Sequence, residues 1–271
     1  MPDQTYWQRH EEACDRGDFT YEDPETGYVV FTKLGLLDRD RCCGAGCRHC
    51  PFDHDNVKFE ARARKIQQAA WLTEVRPGPD HDVTVVFWSG GKDSYLAYRA
   101  LLRAGQTNLV LLTTFDARSR VIAHQEFLID DVVEQAKYLK LPLIGVPLHS
   151  GVEHTDQIVR ALDLVPECRQ LSFGDLHLQY IRNWREETFG AHPRTSGLQL
   201  SFPLWNADYS ALLADLLSSS GKSIVSAVSA DVQDVKVGDR FDAAFIARLP
   251  DHIDAFGENG EFHTRIVFER L

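Results

Sequence analysis

The chain has 271 residues, 44% of them hydrophobic and 25% charged, with a formal net charge of −11 and an isoelectric point near 5.4. That length suits one large domain, or one medium domain with a small appendage. The acidic balance argues against nonspecific nucleic-acid binding, which depends on neutralising phosphates. No run of about 18 apolar residues is present to cross a bilayer, and Met1 to Glu12 is polar with no apolar signal core, so a cytoplasmic protein without a membrane partner is expected.

Residues 1–56 begin acidic and aromatic, carry a short strand candidate at Gly27–Thr32, and end in Cys42-Cys43-Gly44-Ala45-Gly46-Cys47-Arg48-His49-Cys50-Pro51. Four cysteines within nine residues suit metal or cluster ligation better than a secreted disulfide framework. Cys42, Cys43, Cys47 and Cys50 are therefore the candidate metal ligands, with His49 and His54 nearby. Zinc takes four thiolate or imidazole ligands and iron–sulfur clusters take thiolates, so the pattern leaves Zn2+ and a cluster both open, with free buried thiols as the alternative. A segment this small has little core, and a structural metal would stabilise it. Over about residues 20 to 54 the pattern resembles a small oxidoreductase-like, cysteine-rich module of unknown activity. Cys14 and Cys168 are isolated and receive no role.

Asn56 to about Glu74 reads as one helix, because Phe59, Ala63, Ile66 and Ala70 form an apolar stripe. Arg76-Pro77-Gly78-Pro79-Asp80 then breaks the pattern, so residues 57–81 are expected to be a helix and a linker. From Val83 onward, strand and helix signals alternate, which predicts an α/β domain over 82–271 with a parallel sheet covered by helices on both faces. The strand candidates are Val83–Phe87, Leu109–Thr114, Leu143–Pro147, Leu198–Phe202 and Ile224–Val228. Between them lie helix candidates Ser94–Ala104, Phe127–Lys140, Asp175–Phe189 and Tyr209–Ser219.

Ser89-Gly90-Gly91-Lys92-Asp93-Ser94 falls where the first of these strands becomes a helix. Free N–H groups and the positive dipole end of a helix hold anions, and adjacent glycines admit one without a Cβ in the way. Lys92 adds a point charge. The spacing differs from Gly-x-x-x-x-Gly-Lys-Ser/Thr, which excludes the common P-loop. The hexapeptide resembles instead the PP-loop of the ATP pyrophosphatases, whose members split ATP between its α and β phosphates and transfer AMP to a substrate oxygen. Asp93, acidic beside a phosphate site, suits metal coordination or loop bracing, or simply the first turn of a helix.

A second signal, Gly257-Glu258-Asn259-Gly260-Glu261-Phe262-His263-Thr264, precedes the apolar Ile266-Val267-Phe268. Together with the loop it resembles the diphthine-ammonia ligase branch of the PP-loop ATPases. Matching pieces follow in the same order: His124 in Ile122-Ala123-His124, Phe173-Gly174-Asp175, Pro203-Leu204-Trp205, and Gly238 near the start of a last helix. The resemblance covers about residues 82 to 269 and implies a PP-loop, HUP-like fold and an ATP-dependent amidation. A substrate carboxylate attacks the α-phosphorus, pyrophosphate leaves, and ammonia displaces AMP.

On this reading Lys92, Asp93, Glu258, Glu261 and His263 are catalytic. Ser89, Gly90, Gly91, Lys92, Asp93 and Ser94, with Thr114 and His124, hold ATP and Mg2+. Asp175, Asn259, Gly260 and Thr264 serve the substrate. The plainer readings are a helix N-cap for Asp175, a structural histidine for His124 and a core position for Trp205. The partners implied are a small-molecule or protein carboxylate and ammonia. The cysteine run supplies the runner-up, since some PP-loop enzymes pair the loop with an iron–sulfur cluster to thiolate tRNA. A nucleotide-binding module without turnover is the third reading.

Overall fold

The computed structural model describes residues 5–79, 82–230, 232 and 235–269. In chain order the N-terminal part contains α1 (Tyr6–Asp15), β1 (Thr20–Glu22), β2 (Val29–Phe31), α2 (Lys33–Leu37), α3 (Phe59–Lys65) and β3 (Ala70–Trp71). The remainder contains β4 (Val83–Phe87), α4 (Lys92–Arg103), β5 (Leu109–Asp116), α5 (Ile129–Leu139), β6 (Leu143–Leu148), α6 (His154–Ala161) and β7 (Cys168–Ser172). It ends with α7 (Gln179–Ala191), β8 (Gln199–Ser201), α8 (Tyr209–Leu217), β9 (Gly221–Val228), α9 (Ala243–Ala247) and β10 (Phe262–Phe268).

The central sheet runs β3-β6-β5-β4-β7-β8, parallel throughout except for the antiparallel edge strand β3. Alternate residues of each strand enter different cores, as the strand period requires. Val83 and Val85 of β4, with Val110 and Leu112 of β5, belong to one cluster. Val86, Leu109 and Leu111 belong to the other, which also takes in Leu96 and Leu101 of α4 and Val132 and Ala136 of α5. The result is an α/β fold with both faces of a mostly parallel sheet covered. The chain steps from β4 outward to β5 and β6, then returns to the far side of β4 as β7. That reversal opens a crevice at the carboxyl ends of β4 and β7, the usual place for ligands in such sheets.

Three local expectations are corrected. The helix expected over Asn56–Glu74 stops at Lys65, and Ile66 takes up extended geometry (φ −64°, ψ 143°). Residues 70 and 71 instead pair with β6. Ala63, Ile66 and Ala70 are all buried in one core, so the stripe reported burial, not helix. The buried Arg62 guanidinium fixes this reversal by donating to the carbonyls of His54, Val57 and Trp71 at 2.9–3.0 Å. The strand expected at Ile224–Val228 exists within β9, but β9 pairs antiparallel with β10 in a separate two-stranded ribbon. Its inner face alone is covered, which explains the alternating burial. The helix expected from Asp175 starts at Gln179. Gly238 lies in a turn at φ +96°, and the helix that follows is only the five residues of α9.

β7 and α6 were not anticipated. The segment Cys168-Arg169-Gln170-Leu171-Ser172 reads as polar, yet Gln170 is buried and donates to Gln106 Oε1 at 3.2 Å.

The N-terminal module lies against the carboxyl end of β6, on the same edge of the sheet as residues 89–94. Tyr6 packs edge-on against His149 at 5.0 Å between ring centroids, and His149 Nε2 bonds Gln67 O at 2.8 Å. Ser150 Oγ donates to Glu25 Oε1 at 3.1 Å. A cavity of about 670 Å3 remains between the module and the main domain, with Trp7 and His10 on one side and Asp156, Gln157, Val159 and Arg160 of α6 on the other.

Within the module, the imidazoles of His10 and His49 stack at 3.7 Å, nearly parallel. Burial, and then the charges of Lys33 and Arg160, lowers the His10 pKa to about 4. Burial, His10 and Arg48 lower that of His49 to about 2. Both values lie below the ordinary 6.5, so the unfolded chain binds more protons than the folded one. The neutral pair therefore stabilises the fold above pH 6.5, and that contribution is lost progressively as pH falls below 6.5, through about 4 for His10 and towards about 2 for His49. Denaturant unfolding of the intact protein at pH 7.5 and 4.5 should show a loss that His49→Phe reduces. An equal loss in wild type and variant would remove the pair as its cause.

Candidate active site

The turn after β4 is shaped by close approach. Gly90 has φ +81°, and a Cβ there would lie 2.8 Å from Gln135 Oε1 and 3.0 Å from Phe127 Cζ. Gly91 is the N-cap of α4 and offers no side chain of its own. Ser89 Oγ accepts from Gly91 N–H at 3.3 Å, and Ser94 Oγ donates to Gly91 O at 3.0 Å. The missing cap comes from far along the chain, since Lys92 N–H donates to Thr264 Oγ1 of β10 at 3.1 Å. Ile266 N–H then donates to Gly90 O at 2.8 Å. Thus the two sequence signals are in direct contact.

Gln135 of α5 locks that contact. Its Nε2 donates to Gly90 O at 2.9 Å and Ile266 O at 2.7 Å, while Oε1 accepts from Trp88 Nε1 at 2.8 Å. Sequence reading missed this residue, because a glutamine among Glu134, Ala136 and Lys137 carries no mark of burial.

A cavity of about 680 Å3 opens at this edge. Ser89, Gly91, Lys92, Asp93, Ser94, Thr114, His124, Asp175, Glu258, Gly260, His263 and Thr264 all line it. Gly90 sits behind the wall. Asn259 and Glu261 are not brought to the cavity. Glu261 accepts from Asp254 N–H and Asn259 N–H at 2.9 and 3.0 Å, and Asn259 Nδ2 donates back to it, so this pair braces the 257–260 turn. Trp205 is half-buried outside the lining, with Arg182 stacked over its ring at 4.7 Å. The far wall includes Glu153, the N-cap of α6, and His154, Thr155 and Ile158 of that helix, which separates the cavity from the one under the module.

Lys92 is only 2% exposed. Its Nζ bonds Asp93 Oδ2 at 2.9 Å and lies 5.3, 5.5 and 5.9 Å from the ring centroids of Phe256, Phe241 and Phe262. Aromatic faces favour a cation at such distances, which offsets part of its desolvation. Burial, then the charge of Asp93, pushes the Glu258 carboxyl up to about 8. Burial, with His124 and Lys92, holds His263 below the ordinary histidine range. The ring centroids of His124 and His263 are 6.1 Å apart.

Asp254, also missed, carries the Glu258 turn by accepting from Phe256 N–H at 2.8 Å, Glu258 N–H at 3.2 Å and Tyr209 Oη–H at 3.1 Å. Asp175 is not an N-cap, a place taken by Leu178 without a side-chain bond. It forms a two-point ion pair with Arg185, at 2.5 and 3.1 Å.

Two oxygens test the fit of a divalent cation. Asp93 Oδ1 and Gln125 Oε1 are buried and lack a hydrogen-bond partner among the described residues. Both side chains line the cavity, and unpaired carboxylate and amide oxygens are the donor types that Mg2+ takes.

The cysteines do not fit a four-ligand ion as placed. They form two pairs, Cys43 with Cys47 at 3.2 Å and Cys42 with Cys50 at 3.8 Å between sulfurs. Among the described residues no three His, Cys, Asp or Glu side chains are grouped to hold one ion. The nearby histidines are engaged elsewhere, His49 Nε2 with Tyr21 Oη at 2.8 Å and His54 Nε2 with Cys47 O at 3.1 Å.

Replacing Gln135 with Leu leaves Trp88 Nε1 and Ile266 O without these bonds in a sealed region. Chemical denaturation should show a loss of about 3 kcal/mol, the cost of one or two stranded buried polar groups. Unchanged stability would mean that the clamp does not hold the turn.

Residues 9–56 match a protein family of unknown function, DUF5522.

Proposed function

We propose that the protein is an ATP-dependent amide ligase of the diphthine-ammonia ligase type, built on a PP-loop. It adenylates a substrate carboxylate, releases pyrophosphate and transfers ammonia. The observation that carries this reading is the direct seating of Thr264 and Ile266 on the 89–94 turn, which gathers both motifs around one cavity. The sulfur-transfer alternative rests on the cysteine run, which lines a separate small void.

In this mechanism the α4 N-terminus and Lys92 stabilise charge developing on the departing pyrophosphate. Asp93 and Gln125 would hold Mg2+, which supplies charge neutralisation at the phosphates. Glu258, protonated below pH 8, orients the acceptor as a hydrogen-bond donor and in its ionised form takes a proton from the attacking nitrogen. His263, kept neutral, completes the proton path.

Pyrophosphate release in the presence of a carboxylate acceptor and ammonia should fall at least about 100-fold in Lys92→Ala, the scale of losing one preorganised electrostatic contact. Orthophosphate as the sole product would sink the adenylation step. Transfer of label from α-labelled ATP to a tRNA, in place of an acid or protein carboxylate, would move the assignment to thiolation.

A second test uses pH. At saturating ammonia the rate should climb as Glu258 ionises towards pH 8, and Glu258→Gln should abolish that limb. In stability the sign is opposite. The folded-state value lies above the ordinary 4.5, so the contribution is complete below 4.5 and is lost as pH rises through 8. A pH profile unchanged by the substitution would remove Glu258 from proton transfer.

A further inference from the structure

The four clustered cysteines differ in access. Cys42 and Cys50 are buried, Cys47 is half-buried and Cys43 is exposed. Cys43 and Cys47 approach to 3.2 Å between sulfurs, without being bonded. The loop joining them contains Gly44 and Gly46 at φ +75° and +81°. A Cβ on Gly46 would lie 2.5 Å from Lys65 O, and one on Gly44 3.0 Å from Asn56 O, so glycine lets the loop press against α3 and the preceding turn. Arg39 and Arg41 line the small void that the four cysteines share. An accessible thiol in contact with a sheltered one, beside cationic side chains, is the arrangement of a reactive dithiol, whereas a tetrahedral site needs four ligands round one point.

We propose that Cys43 and Cys47 form a thiol–disulfide exchange couple acting on small-molecule disulfides. The Cys43 thiolate attacks one sulfur of the substrate disulfide, breaking its S–S bond and releasing one thiolate. Cys47, as thiolate, then attacks Cys43 Sγ, forming the intramolecular disulfide and releasing the second substrate thiolate. The two cysteines together lose two electrons and two protons, and the substrate disulfide gains them as two thiols. The reverse sequence reduces the couple. Cys42 and Cys50, enclosed and 3.8 Å apart, take no part.

The test uses the full chain, purified anaerobically and equilibrated in buffers of reduced and oxidised glutathione, with alkylation and peptide mass mapping. The expected result is a reversible Cys43–Cys47 disulfide, with Cys42 and Cys50 alkylated only after denaturation. Cys47→Ser should accumulate the glutathione mixed disulfide on Cys43, and Cys43→Ser should form neither product. Thermal unfolding of each variant establishes that it is folded. Stoichiometric zinc or iron that protects all four thiols would overturn the proposal. So would a disulfide between other partners, or none in fully oxidised buffer. These outcomes leave the ligase reading untouched, because pyrophosphate release is measured on another cavity.

Discussion

The arrangement at the carboxyl edge of the sheet depends on one long-range closure, the seating of β10 on the glycine turn. A turn with two adjacent glycines is the least self-determined part of a backbone, since its residues lose the most freedom on folding. Here Thr264 fills the cap position that Gly91 leaves empty, and Ile266 takes up the Gly90 carbonyl, across 172 residues of sequence in the first case. Gln135 ties both partners to α5. The glycine turn is therefore a tertiary object, and its geometry is inseparable from the segment that carries Glu258 and His263.

That closure also sets the electrostatics. The β9–β10 ribbon brings Phe262, and the neighbouring segments bring Phe241 and Phe256, around the Lys92 ammonium. The same packing withdraws Glu258 from water and keeps its proton in place. One packing event thus rings the Lys92 side chain with aromatic faces and pushes the neighbouring Glu258 carboxyl towards its neutral form.

The sequence was legible where a residue's neighbours in the chain are also its neighbours in space. The strand–turn–helix of Val83–Arg103 follows from an apolar run, two glycines and a helical stripe. The Ala63, Ile66 and Ala70 positions were recognised as buried but assigned the wrong geometry, because helix and edge strand share a core and Arg62 decides between them from outside the periodic pattern. β7 was illegible since Gln170 is satisfied by Gln106, a partner no local rule supplies. Chemical type singled out Lys92, Asp93, Glu258 and His263, which line one cavity. It also drew in Glu261 and Asn259, which are equally polar but spend their hydrogen bonds on each other. Gln135 and Asp254 escaped notice because their importance lies wholly in what they hold.

The α6 helix contributes Asp156, Val159 and Arg160 to the cavity beneath the N-terminal module, and His154, Thr155 and Ile158 to the cavity at the glycine turn. One helix is thus a wall of two volumes. Any occupant that displaces the helix from one side alters the room on the other, and the free-energy coupling is necessarily equal in both directions. The cysteine-rich module and the glycine turn thus stand on opposite sides of one helical partition.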